Sequence, residues 1–177
     1  IRQLDWDGYL KAENALFDEV RTNITQKLKP EQQVPTNRYF EGSPIYPGRF
    51  ATDWNRSYIL EPDGAPVGAV ILLHGLTDSP YSLRHIAQRY RARGWTAVAI
   101  RLPAHGTVLA ALADVNWEDW SEATRLAVRE ARRRVPAAGL ADLGGEARAQ
   151  RLGDEASRHQ DALEVDAVLV AGGVQEV

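Results

Sequence analysis

The clearest pattern along the chain is an unbroken aliphatic run, Gly68–Leu73 (GAVILL), with turn-forming residues on both sides. Such a run marks a strand buried on both faces, as in a parallel sheet covered by helices on each side. A helical rhythm precedes it at residues 5–28. There Trp6, Tyr9, Leu10, Leu16, Phe17, Val20, Ile24 and Leu28 share one stripe, and Pro30 follows. Residues 30–63 are rich in Pro, Asn, Gly and Ser and read as loop, with a short strand predicted at 56–60 before the turn Pro62-Asp63-Gly64.

After the aliphatic run, Ser79 is predicted to cap a helix with Pro80 at its first position, where a missing N–H costs nothing. Leu83, Ile86, Ala87 and Tyr90 form the apolar stripe, and Gly94 suits the left-handed position beyond the end. Residues 95–102 (WTAVAIRL) predict a second strand. Asn116, with Asp119 three positions on, has the form of a capping box opening a helix through Val135. Its acids lie in the first turn and Arg132, Arg133 and Arg134 in the last, complementing the helix dipole. Trp120, Ala123, Ala127 and Ala131 line one face, and Pro136 stops it. Strand–helix–strand–helix order predicts a right-handed crossover in a layered α/β domain.

The character of the chain changes after Leu140. Residues 141–162 hold almost no large apolar side chain besides Leu143 and Leu152, and one strand-like run follows at 165–170. A parallel α/β domain should pass from the helix directly into another aliphatic strand, and this one does not. The expected organisation is therefore residues 1–140 as the fold proper and 141–177 as an atypical tail.

Composition adds limits. The 177 residues are 44% hydrophobic and 25% charged, ordinary for one globular domain. A net charge of -3 gives no general attraction to nucleic acid or anionic membrane. No stretch reaches the roughly 18 apolar residues of a spanning helix. The absence of cysteine excludes disulfides, thiolate metal sites and a cysteine nucleophile. The chain starts at Ile1 without methionine, which points to a processed N-terminus or a piece of a longer protein. No signal-peptide core is visible, which favours the cytoplasm without assigning a compartment.

The chemistry concentrates where the aliphatic run ends, in ILLHGLTDSP. Ligands of parallel sheets bind outside the carboxyl ends of the strands. The loops 74–79 and 103–115 both leave that edge. Gly75 lets the neighbouring amides approach a ligand closely. An N–H fixed there would meet negative charge on a carbonyl oxygen without reorganisation, each such donor lowering a barrier by about 3–4 kcal/mol.

The segment LLHGLTDSPYSLRHIAQRYRARGWTAVAIRLPAHGT resembles the first part of an α/β-hydrolase of the serine esterase, lipase and monoacylglycerol-lipase-like group. The shared features are the aliphatic strand, His-Gly-hydrophobic, a small polar cluster ending in Pro, a helix, and a strand ending in a Pro-Gly-His-Gly-like turn. Here that turn is Pro103-Ala104-His105-Gly106, with alanine for the first glycine. The Asn116-Trp117-Glu118-Asp119-Trp120 helix start is similar too, and the likeness runs over roughly residues 49–135. It implies an incomplete α/β-hydrolase-type parallel sheet flanked by helices. It makes the Leu76 N–H an oxyanion donor, with His74, Gly75 and Thr77 shaping or lining the substrate side. His105 would brace the adjacent loop rather than act as base. A small ester or acyl substrate is implied, and no cofactor.

The nucleophile of that group sits in G-x-S-x-G on a strained turn after the next strand, and this sequence contains no such motif. Ser43, Ser57, Ser79, Ser82, Ser121 and Ser157 all lack the glycines. His159, Asp161 and Asp166 match the partners only by residue type. A tail foreign to the fold is favoured over a genuine loss of the catalytic half, and a poorly stable chain without hydrolase activity is expected. A non-catalytic binding module is the main alternative. A nucleotide-binding reading of AVLVAGG fails for want of G-x-G-x-x-G. The arginine groups 89, 91, 93 and 132–134 read as solvated helix ends, with no aromatic interleaving for nucleic acid. No H-E-x-x-H spacing points to a metal.

Overall fold

A computed structural model describes residues 3–135 and the backbone of Ala167–Ala171. Three helices and four strands are described: α1 (Trp6–Asn23), β1 (Tyr58–Leu60), β2 (Gly68–Leu73), α2 (Arg84–Ala92), β3 (Trp95–Ala99), α3 (Trp117–Arg134) and β4 (Ala167–Ala171). The sheet order is β1-β3-β2-β4.

β2 follows the aliphatic run residue for residue, and its side chains divide between two cores. Ala69 and Ile71 join Val98, Ile100, Ala123, Leu126 and Ala127 on the face covered by α1 and α3. Val70 and Leu72 join Leu83, Ile86, Ala87 and Tyr90 under α2. A strand with helices on both sides has no solvent face, which is why its sequence shows no polar alternation.

The sheet is mixed, which corrects the expectation of a parallel one. Only β2 and β3 run parallel, with Gly68 opposite Trp95 and Leu72 opposite Ala99. β1 is antiparallel to β3. β4 is antiparallel to β2, from Ala69 opposite Ala171 to Leu73 opposite Ala167. A strand edge offers the same donors and acceptors to either direction, and antiparallel pairing is slightly the more stable per residue. The run expected at 165–170 thus supplies an edge partner in reverse sense.

Local signals at the helices mostly hold. Gly94 has φ +85°, and Asn116 with Asp119 forms the reciprocal capping box. Ser79 does not cap with its side chain. A 3-10 turn at Pro80–Leu83 intervenes, and the Ser79 hydroxyl donates to Asn55 Oδ1 instead. The stripe of α1 is buried only near its start, at Trp6, Tyr9 and Glu13, while Leu16 is exposed and the helix ends at Asn23. Arg91 reaches Asp63, and Arg133 and Arg134 reach Glu130, so these arginines are held by carboxylates.

Glu13 is the unexpected core residue. It is 2% exposed, and its carboxylate accepts from Arg101 Nε at 2.8 Å. It also accepts from the Ser57 amide at 3.1 Å and the Ser57 hydroxyl at 2.9 Å. Arg101 is 2% exposed too, and its main-chain oxygen accepts from Tyr9 Oη at 2.5 Å. Removing one partner of a buried pair strands the other charge, at a cost of about 3–5 kcal/mol. Glu13→Ala is expected to lower unfolding free energy by about that amount, or to unfold the chain, while Arg125→Ala at an exposed pair changes it by less than about 1 kcal/mol. Urea denaturation of both variants checks this; equal effects would refute it.

Candidate functional site

The turn after β2 comprises Gly75 to Asp78, closed by the Asp78 N–H on the Gly75 carbonyl at 3.1 Å. Leu76 and Thr77 form its tip, both exposed, with Leu76 at 61%. Among the described residues the Leu76 N–H takes no acceptor. Asp78 Oδ1 accepts from the Ser79 amide at 2.7 Å and the Ser82 hydroxyl at 2.6 Å, fixing the far leg of the turn to the following helix.

His74 ties this turn to the neighbouring loop. Its Nε2 accepts from the Leu102 amide at 3.0 Å, so the proton sits on Nδ1, which faces the Gly75 carbonyl at 3.0 Å. The ring is 4% exposed with both nitrogens occupied. The His74 side chain is thus a buried, hydrogen-bonded group that shapes the turn, and its backbone is what borders the rim. Gly75, Leu76 and Thr77 follow it in the turn, and His74 is the residue that joins this turn to Leu102 and His105.

His105 lies against His74 with ring centroids 4.8 Å apart and against Trp120 at 5.5 Å. Its Nδ1 approaches the Pro103 carbonyl at 2.9 Å, to which Trp120 Nε1 also donates at 3.3 Å. The His105 main-chain oxygen accepts from Arg101 at 2.7 Å. The Pro103 loop is thus braced from the side of α3 and from the buried ion pair. The place of Trp120 on the inward face of α3 fits this, and Trp117 at the helix start is 68% exposed.

Ala104, which stands where the resembling turn has glycine, keeps a glycine-like backbone. Its φ is +69°, in the left-handed region, and Gly106 follows at +70°. A side chain there costs about 1–2 kcal/mol of backbone strain. Gly106 has a second reason, since a Cβ would stand 3.2 Å from the Asn55 carbonyl oxygen.

Four of the five serine hydroxyls in the described region are committed elsewhere. Ser43 donates to the Pro35 carbonyl, Ser57 to Glu13, Ser79 to Asn55 and Ser82 to Asp78. None of these four reaches a histidine. Ser157, His159, Asp161 and Asp166 lie outside the described residues. Among the described residues no cluster of three metal-ligating side chains occurs, and no helix is long and apolar enough to cross a membrane.

The pattern of the sequence does not reveal that Glu13, Arg101, Ser57 and Tyr9 join in one buried cluster, which holds the Pro103 loop through the His105 main chain. One signal was present: Glu13 interrupts the apolar stripe of α1 four residues after Tyr9 and four before Phe17.

With this geometry in view, comparison with known proteins is informative over part of the chain. No family model matches. The chain is 38% identical over 58 residues to the thermostable monoacylglycerol lipase of Bacillus sp. (strain H-257), covering 33% of this chain and 23% of the lipase. Over that stretch it resembles a lipase. A solved structure from work on LipS and LipT, two metagenome-derived lipolytic enzymes, aligns at 30% identity and TM-score 0.42, covering 46% of this chain and 32% of that one. The chain therefore spans about a quarter to a third of the length of the relatives it matches.

Two outcomes follow from the site. Ala104→Gly is expected to stabilise the protein by about 1 kcal/mol, because glycine adopts positive φ freely; a lower denaturation midpoint would contradict the strain. Burial pushes the His74 imidazole from its ordinary 6.5 down to about 4, outweighing the opposing bond to Gly75. The unfolded chain binds this proton below pH 6.5 while the folded one refuses it until about 4. Stability is then full above that window and falls as pH drops through it, by up to about 3 kcal/mol. Urea midpoints at stepped pH, compared with His74→Gln, read this out; the two profiles should diverge, and parallel profiles would refute it.

Proposed function

We propose that this chain is the N-terminal portion of a serine hydrolase acting on carboxylic esters, foremost acyl lipids or similarly apolar esters. The Leu76 amide, without an acceptor among the described residues and at an exposed turn on the rim of a buried strand, carries the reading. The partial identity with a monoacylglycerol lipase supports it.

In the complete enzyme a serine hydroxyl adds to the ester carbonyl as a histidine takes its proton, and an acid orients that histidine. Negative charge passes to the carbonyl oxygen, where the Leu76 N–H and the amide after the nucleophile receive it. Collapse expels the alcohol, protonated by the same histidine, and water repeats the sequence on the acyl-serine. Within the described residues this chain supplies one element of that set, the amide. Gly75 permits the approach, and Thr77 lines the turn beside it. Residues 1–140 form the hydrolase portion in this reading, and 141–177 an atypical tail produced by a frameshift or truncation. A non-catalytic binding module is the second reading, favoured by the commitment of the Ser43, Ser57, Ser79 and Ser82 hydroxyls to acceptors other than histidine.

The 177-residue chain is expected to show no turnover of p-nitrophenyl esters and no labelling by a fluorophosphonate. Turnover abolished by that reagent would overturn this. Reading the encoding DNA past the Leu140 codon in all frames is expected to reveal an aliphatic strand followed by G-x-S-x-G. In the enzyme so restored, Leu76→Pro removes the donor while suiting the second position of the turn. It should lower kcat by about 10²–10³-fold with little change in KM. An unchanged kcat would remove Leu76 from the chemistry.

A further inference from the structure

A cleft of about 590 Å³ opens between the loop before β1 and the residues that follow Pro80, without including any of residues 74–79. It is walled by Ile45, Phe50, Trp54 and Tyr81, with Arg38 and Arg84 at its boundary. Its volume falls within the roughly 300–1,000 Å³ of small-molecule sites. Ile45, Phe50 and Tyr81 are 52%, 56% and 44% exposed, a concentration of apolar surface that water solvates poorly.

The charges make the cleft selective. Arg84 lies 3.7 Å over the Tyr81 ring and donates to the Tyr81 carbonyl at 2.7 Å. Arg38 donates to the Gly106 carbonyl at 3.2 Å. Each guanidinium has five N–H donors and so keeps several unspent. Among the described residues neither has a carboxylate partner. The acid lining the cleft, Asp53, is already satisfied by Arg56 at 3.2 Å and by Asn55. The cleft therefore presents net positive charge with free planar donors beside apolar walls.

We infer that this cleft is a binding site for a small amphipathic carboxylate, whose apolar body lies on Ile45, Phe50 and Trp54 while its head group meets Arg38 and Arg84. A neutral amphiphile leaves the guanidinium donors to water. A cation meets two like charges, and a compact anion leaves the apolar walls wet. The Ser79 hydroxyl on Asn55 Oδ1 at 2.9 Å joins this cleft to the leg of the Leu76 turn. The inference stands on these residues alone and holds whether or not the turn serves an ester hydrolase.

Calorimetric titration of the full chain with octanoate, octanol, octylammonium and inorganic phosphate tests it. Octanoate is expected to bind saturably at one site, with octanol about tenfold weaker and the other two not saturating. Arg84→Gln, with an unchanged circular dichroism spectrum, should weaken octanoate about tenfold and leave octanol unaltered. Octanoate and octanol binding alike to the unaltered chain would overturn the inference, a comparison that needs no variant to fold. Capture of the chain by phosphatidylglycerol vesicles with no octanoate binding would overturn it as well, marking the patch as a lipid-surface contact.

Discussion

Two opposite charges shut away from water hold the working edge of this protein in place. Glu13 and Arg101 come from segments 88 residues apart. Between them they bind Ser57, Tyr9 and the main chain of His105. The pair thereby fastens α1, the approach to β1, the end of β3 and the Pro103 loop at one point. Its net contribution to stability is small, because desolvation offsets most of the attraction. What it confers is position: each partner accepts only a narrow set of arrangements, and any shift of α1 or of the loop leaves a charge unpaired in the interior.

The rim of the sheet inherits that rigidity. His74 takes the Leu102 amide, one residue beyond Arg101, and carries the constraint across to the turn holding Leu76. The Pro103 carbonyl gathers His105 and Trp120 from the other side. Ala104 is held at a positive φ that alanine disfavours, so the surrounding bonds outweigh a local preference. In the proposed hydrolase, an amide fixed in this way would meet developing charge without a cost of reorganisation.

The loop region before β1 contributes more than a connection. Asn55 bonds the Ser79 hydroxyl, and its backbone crowds Gly106, so the segment touches both rim loops. The same segment, with the start of the helix after Ser79, builds the cleft flanked by Arg38 and Arg84. Turn and cleft are separate in their lining residues yet share this one hydrogen-bonded joint.

Much of the framework was legible because it obeys short-range rules. The GAVILL strand, the Asn116–Asp119 capping box, the left-handed Gly94 and the His-Gly turn each depend on residues within a few positions of one another. The candidate site was legible to the same extent, as a motif on a loop. Tertiary structure alone decided that α1 buries only its first turns, that an acid in its stripe meets Arg101, and that β4 runs antiparallel to β2. It also decided that the His74 ring faces inward and that two arginines without described carboxylate partners flank one apolar cleft. These depend on partners dozens of residues distant, brought together by the sheet and its helices, and no local spacing encodes which distant groups will meet.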